Sequence, residues 1–102
     1  MPRPLSSLTE IRDNINLIDA EIIKLLANRY QCVKLAAKFK SDSLDVADDA
    51  RVRQVINRVK LLADEHNLPS IVAESVYTSM INCFISLEQR EFERLNKIDK
   101  NL

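Results

Sequence analysis

Arg29 stands inside an apolar helical seam. In steps of three and four the chain reads Leu8, Ile11, Ile15, Ile18, Ile22, Leu25, Arg29, Cys32, Ala36 and Phe39, nine apolar positions and one guanidinium. Such a stripe is the face a helix buries against its partners. Arginine is seldom buried unpaired, because desolvating its charge costs several kcal/mol. The seam therefore calls for a counter-charge at Arg29, supplied either by a protein carboxylate or by a bound anion.

Three further groups bear on that anion. Lys40 lies 11 residues beyond Arg29, three helical turns, and on a continuing helix faces nearly the same way. Arg12 precedes Arg29 by 17 residues, which places it about 25 Å away along the same helix. One small ligand cannot touch both from one helix, but in a two-fold dimer with antiparallel long helices Arg12 of one chain can approach Arg29 of the other. Gln89 follows Ile85 by four residues and precedes Phe92 by three, a polar amide on a largely apolar face. Several cations, an amide and no acidic cluster suit a small polycarboxylate. No Ser–His, Cys–His or carboxylate pair accompanies them, so a nucleophilic or general-base mechanism has no obvious actors. Each group also has a structural reading: Arg12 pairing with Asp13 or Asn16 at the surface, Arg29 held by a buried Asp or Glu, Lys40 at a helix C-terminus, Gln89 hydrogen-bonded within the core.

The elements that must position these groups are helical. The chain has 102 residues, no glycine, three prolines and 46% hydrophobic residues, which predicts one domain over 1–102 with an ordered core at about 8–95. Without glycine there is no Walker loop, no dinucleotide fingerprint and no glycine-dependent hairpin turn, and the expected fold class is all-α. A first helix is expected from Leu8 to Lys40, opened by a capping box of Ser7 and Glu10. Residues 41–47, rich in Ser and Asp, read as a loop. A second helix carries Val52, Val55, Ile56, Val59, Leu62 and Ala63 on one face and ends near His66 and Asn67. Pro69 suits the first turn of a third helix, whose stripe is Val72, Val76, Met80, Cys83 and Leu87, with Ile81, Ile85 and Phe92 beside it. The tail, 96–102, is expected to fray.

A first helix of 33 residues would be roughly 50 Å long, against a radius of gyration near 13 Å for a compact chain of about 100 residues. Two shorter helices cannot cover a seam of that length, and no Pro or Gly lies between Leu8 and Lys40 to kink it. The seam thus predicts three-helix chains forming an intertwined homodimer.

Fifteen basic and fifteen acidic residues cancel, which argues against a nucleic-acid partner. The first ten residues, MPRPLSSLTE, have no apolar signal region, and no uninterrupted apolar run approaches membrane-spanning length, so a cytoplasmic protein with no membrane association is expected. Cys32 and Cys83 fall on apolar faces and read as small core hydrophobes in a reducing compartment. His66 has no second ligand at metal-binding spacing, so no metal is expected.

The segments IRDNINLID, LLANRYQCVKLAAKFK and ISLEQREF resemble the all-helical, AroQ-type chorismate mutases, and resemble still more the isochorismate-pyruvate lyase branch that makes salicylate for siderophores. The likeness covers about residues 8–95. It implies an intertwined homodimer with two identical sites, no cofactor and no metal. Arg12 matches the arginine given across the dimer, Arg29 the in-chain arginine on a substrate carboxylate, Lys40 and Gln89 the pair at the ether oxygen of the breaking C–O bond, and 41–47 a mobile lid. Two positions depart from the mutase pattern. Val52 stands where mutases place a glutamate that holds the ring hydroxyl of chorismate, and Ile85 where they often have a small hydroxyl residue. The lyase branch is apolar at both. The resemblance therefore implies an isochorismate pyruvate lyase with weak chorismate mutase side activity. The alternatives are a chorismate mutase using the same cations and, from another class, a non-catalytic helical dimer that binds a partner through its charged faces. Val52 also has a structural reading, as a core position on the stripe of the second helix.

Overall fold

The computed structural model describes residues 5–40 and 48–101. Three helices follow in order: α1 (Leu8–Ala37), α2 (Asp49–Glu65) and α3 (Ser70–Asn101). The described residues contain no strand. Contacts divide the chain into two units, Met1–Cys32 and Val33–Leu102.

The first unit is α1 up to Cys32. Its start is fixed by side chains: Glu10 N–H donates to Ser7 Oγ at 3.1 Å, and Glu10 Oε2 accepts from Ser6 N–H at 3.0 Å. This is the expected capping box displaced by one residue, with Glu10 reaching the amide before the cap rather than that of Ser7. Along the seam, Leu8, Ile11, Ile15, Ile18, Ile22 and Leu25 are between 40% and 61% exposed. A single chain thus leaves its longest apolar stripe open to solvent.

The second unit holds the last turn of α1 with α2 and α3. α1 stops at Ala37 rather than Lys40, because Lys38, Phe39 and Lys40 turn their amides to carbonyls three residues back, Leu35, Ala36 and Ala37. The helical angle from Arg29 therefore does not extend to Lys40. α2 opens on Asp48, whose carboxylate accepts from Arg51 N–H at 3.1 Å. It closes with Leu68 N–H on Ala63 C=O at 2.9 Å and Asn67 N–H on Asp64 C=O at 3.3 Å, the paired bonds of a Schellman end. Asn67 takes the left-handed position that such an end requires, with φ 57°; Asn tolerates this region better than most residues, and the chain has no glycine to offer. Pro69 falls just before α3 rather than within its first turn, and its carbonyl accepts from Val72 N–H at 2.9 Å.

α2 packs on α3. Val59, Leu62, Ala63, Leu68, Val72 and Tyr77 line an apolar cleft of about 300 Å³ at the hairpin end, and Lys60 Nζ lies 3.5 Å from Glu74 Oε2 across the two helices. The α2 face agrees with the expected stripe, except that Leu62 is exposed at its edge. α3 is rotated from expectation. Its buried residues are Ala73, Ile81, Glu88 and Phe92, while Val72, Val76 and Cys83 face solvent. Ala73 is the buried member of this stretch, while Val72 and Val76 stay partly open at the cleft they line with α2. Cys32 is also exposed, so neither cysteine is the core residue expected of it. α3 stays helical to Asn101 instead of fraying at residue 96. An 18-residue stretch within Ser70–Lys97 reaches a mean hydropathy of 1.2, enough by length and composition for a membrane span. Counting uninterrupted apolar runs missed it, because the stretch gathers its hydropathy between polar residues.

Candidate functional site

The sequence candidates fall in both units. In the first, Arg12 is exposed and Arg29 is half-buried. They lie on one unbroken helix, so the 17 residues between them still correspond to about 25 Å, and no single small anion meets both on one chain. Arg29 already engages a group within the chain.

In the second unit the charge of Lys40, just beyond α1, acts on Glu88 of α3. Lys40 is half-buried just beyond α1, with its N–H on the Ala37 carbonyl at 3.4 Å, and Ala37 is only 2% exposed. Gln89 and Ile85 are half-buried on α3, one helical turn apart. Val52 is half-buried in the first turn of α2, where its amide donates to Asp48 C=O at 3.0 Å. The expected lid, 41–47, lies outside the described residues.

Two charged groups escaped the sequence reading. Arg51, one residue before Val52, is exposed and donates through Nη1 to Gln54 Oε1 at 2.8 Å. It adds a cation in the same turn as Val52. Glu88, directly before Gln89, is 8% exposed and is the one buried charged or polar residue among those described. Burial pushes its carboxyl above the ordinary carboxylate range, and the charge of Lys40 works in the opposite direction without overcoming it. The sequence reading expected no acidic cluster and no carboxylate pair beside the cations; it did not single out this one buried carboxyl. The signal that could have found it was the spacing of Ala73, Ile81, Glu88 and Phe92, steps of eight, seven and four residues that keep to one helical face and pass through a glutamate.

The next turn of α3 behaves differently. Glu91 accepts from Arg94 Nη2 at 2.7 Å and from Arg94 Nε at 3.2 Å. That fork, with smaller contributions from the charges of Arg94, Lys34 and Lys38, holds the Glu91 carboxyl below its ordinary value. The charges of Lys34 and Lys38 thus bear on Glu91, and that of Lys40 bears on Glu88.

None of Lys40, Val52, Ile85 and Gln89 lines the apolar cleft at the hairpin end. No Lys or Arg lines that cleft, whose lining is apolar α2–α3 surface with His66 at its end. Towards the other end of the hairpin, α3 carries the buried Glu88, on which the charge of Lys40 acts, with the amide of Gln89 next to it in the chain. Such a set of groups can bind an anionic or ether-bearing ligand and can stabilise negative charge forming on oxygen. It contains no nucleophile–base pair.

Residues 11–89 match the family described as chorismate mutase type II. A chorismate mutase from Methanocaldococcus jannaschii is 27% identical over 97 residues, covering 94% of this chain and 98% of that protein. An isochorismate pyruvate lyase from Pseudomonas aeruginosa is 28% identical over 93 residues, covering 91% of each. Two activities thus stand at nearly equal identity, and the choice between them rests on individual residues.

Proposed function

This chain belongs to the type II chorismate mutase family, and on that premise we propose that it is an isochorismate pyruvate lyase acting as an intertwined homodimer. The observation that carries the choice of substrate is Val52. It stands in the first turn of α2, where the mutase pattern places a glutamate that accepts from the ring hydroxyl of chorismate. A valine cannot accept that bond, and Ile85 offers no hydroxyl in compensation. Isochorismate carries its hydroxyl on a different ring carbon, so the loss handicaps chorismate more. Losing a buried polar partner can shift discrimination by orders of magnitude when the site is built around it.

The dimer is supported by the open α1 seam. Six large aliphatic side chains in register, each at least 40% exposed, form a patch of the kind that marks an interaction surface. A second α1 running antiparallel covers it and brings Arg12 of the partner towards Arg29. The two arginines then fix the two substrate carboxylates and hold the compact reactive conformer.

The reaction is a concerted elimination. The C–O bond opens, the ring hydrogen moves to the enolpyruvyl methylene, and salicylate and pyruvate result, with atoms and electrons in balance. Lys40 and Gln89 meet the ether oxygen and stabilise the charge that develops on it, and the loss of one such donor costs about 10²–10³ in rate. No residue forms a covalent bond and no cofactor takes part.

The named lyase and mutase relatives keep a second reading in view, a chorismate mutase using the same cations. Steady-state kinetics with isochorismate and chorismate in parallel separates them. The expected result is a higher kcat/KM for isochorismate with slow conversion of chorismate; a clear preference for chorismate overturns the assignment.

A further inference from the structure

Glu88 has no part in the mechanism above, yet among the described residues it is the buried charged one. It is 8% exposed, one residue from Gln89 and one helical turn before buried Phe92. A carboxylate in such surroundings is held there at a cost to the fold unless its partner is excellent. Groups of this kind, perturbed by burial and by one specific charge, concentrate at functional sites.

The surrounding charges are already allotted. From the end of α1, Lys34 and Lys38 act on Glu91. On α3, Arg94 is forked onto Glu91, and Arg90 and Glu93 are exposed. From α2, Arg51 is turned to Gln54. Lys40 is the charge that acts on Glu88.

We propose that Glu88 is a positioning residue for Lys40: its buried carboxylate directs the ammonium to the α3 surface that presents Gln89. The inference rests on the assignment of Lys40 and Gln89 to the ether oxygen. A lysine is a point charge on a flexible four-carbon stem, and Lys40 sits beyond the last turn of α1, where the helix no longer orients it. A fixed counter-charge supplies the orientation that helical geometry does not. As pH falls and Glu88 takes up a proton, Lys40 loses that anchor and turnover falls. Because burial raises the Glu88 carboxyl, this loss comes at milder acidity than an ordinary carboxylate would give.

The test is a double-mutant cycle with pH profiles, on the full chain and with both substrates. Glu88→Gln is expected to lower kcat about ten- to a hundredfold at neutral pH, to leave KM within about twofold, and to abolish the acid limb. Glu88→Asp, slower than wild type, keeps an acid limb. In a Lys40→Ala background, Glu88→Gln costs no more than about a further twofold. A Glu88→Gln enzyme with wild-type kcat and an unchanged acid limb overturns the proposal, as does a fully additive loss in the Lys40→Ala background. Thermal midpoints of the same four proteins give a readout independent of turnover. Lys40→Ala should shift the midpoint in wild type and not in Glu88→Gln; equal shifts overturn the proposal even if neither substrate is turned over, an outcome that would separately remove the catalytic reading. Should Glu88→Gln fail to fold, the pH profile and midpoint of Glu88→Asp carry the test.

Discussion

The charge of Lys40 reaches the buried carboxyl of Glu88 and draws its pKa down, but burial prevails and the carboxyl stays above its ordinary value. The sign of the consequence for stability is fixed. Between the ordinary carboxylate value and the raised one, the folded chain binds more proton than the unfolded chain. Stability therefore falls as pH rises through that window, and is flat with respect to this group outside it. Glu88→Gln removes the dependence. Thermal melts from acidic to neutral pH should show the variant gaining on wild type as pH increases; parallel curves would contradict the burial of an ionisable group here.

The open seam predicts an obligate assembly. Ile18, 49% exposed on the single chain, should be central to the α1 pairing. Ile18→Lys is expected to give a monomer by sedimentation equilibrium and to cost at least about a hundredfold in kcat/KM, since the partner's arginine is lost with the interface. A fully active monomer would dismiss the shared site.

Sharing has a sharper signature. Arg12→Ala and Arg29→Ala should each be nearly inactive alone. Unfolded together and refolded as an equal mixture, they form hybrids in which one site carries both lesions and the other neither. About one quarter of wild-type activity is then expected, because half of the two-fold dimers are hybrids with one intact site each. No recovery would mean that both arginines act within one chain.

Substrate choice should follow position 52. Val52→Glu is expected to raise kcat/KM for chorismate relative to isochorismate by about ten- to a hundredfold, read from parallel progress curves. An unchanged ratio would reduce Val52 to a packing residue of α2.

The α2 cap separates stability from chemistry. Asp48 accepts the Arg51 amide at the foot of the turn that carries Val52. Asp48→Ala should cost about 1 kcal/mol in denaturant unfolding and leave the ratio of the two substrates untouched.

Helical class, order of elements and most of the α2 face were legible because period and capping are local properties. The seam of α1 was legible for the same reason, and the single chain leaves it exposed. What local reasoning missed depends on tertiary choice. The buried face of α3 runs through Ala73, and nothing in the stripe of Val72, Val76 and Cys83 announces that the small residue beside it is the buried one. Glu88 was hidden by the rotation of α3, since on the expected face it would have been solvated. Lys40 was placed by extending an ideal helix three residues past its end. Arg12, Arg29, Lys40 and Gln89 were singled out by residue type within pattern, while their roles came from resemblance, because spacing alone cannot distinguish an anion site from a structural ion pair.

Asn67 carries a consequence of the missing glycines. The reversal between α2 and α3 turns on its φ of 57°, and a side chain branched at Cβ pays a steric penalty there that Asn and Gly largely escape. In a saturating mutational scan this position should tolerate Gly and Asp and reject Val, Ile and Thr. Its intolerance would resemble that of a catalytic residue, although its cause is a single backbone torsion.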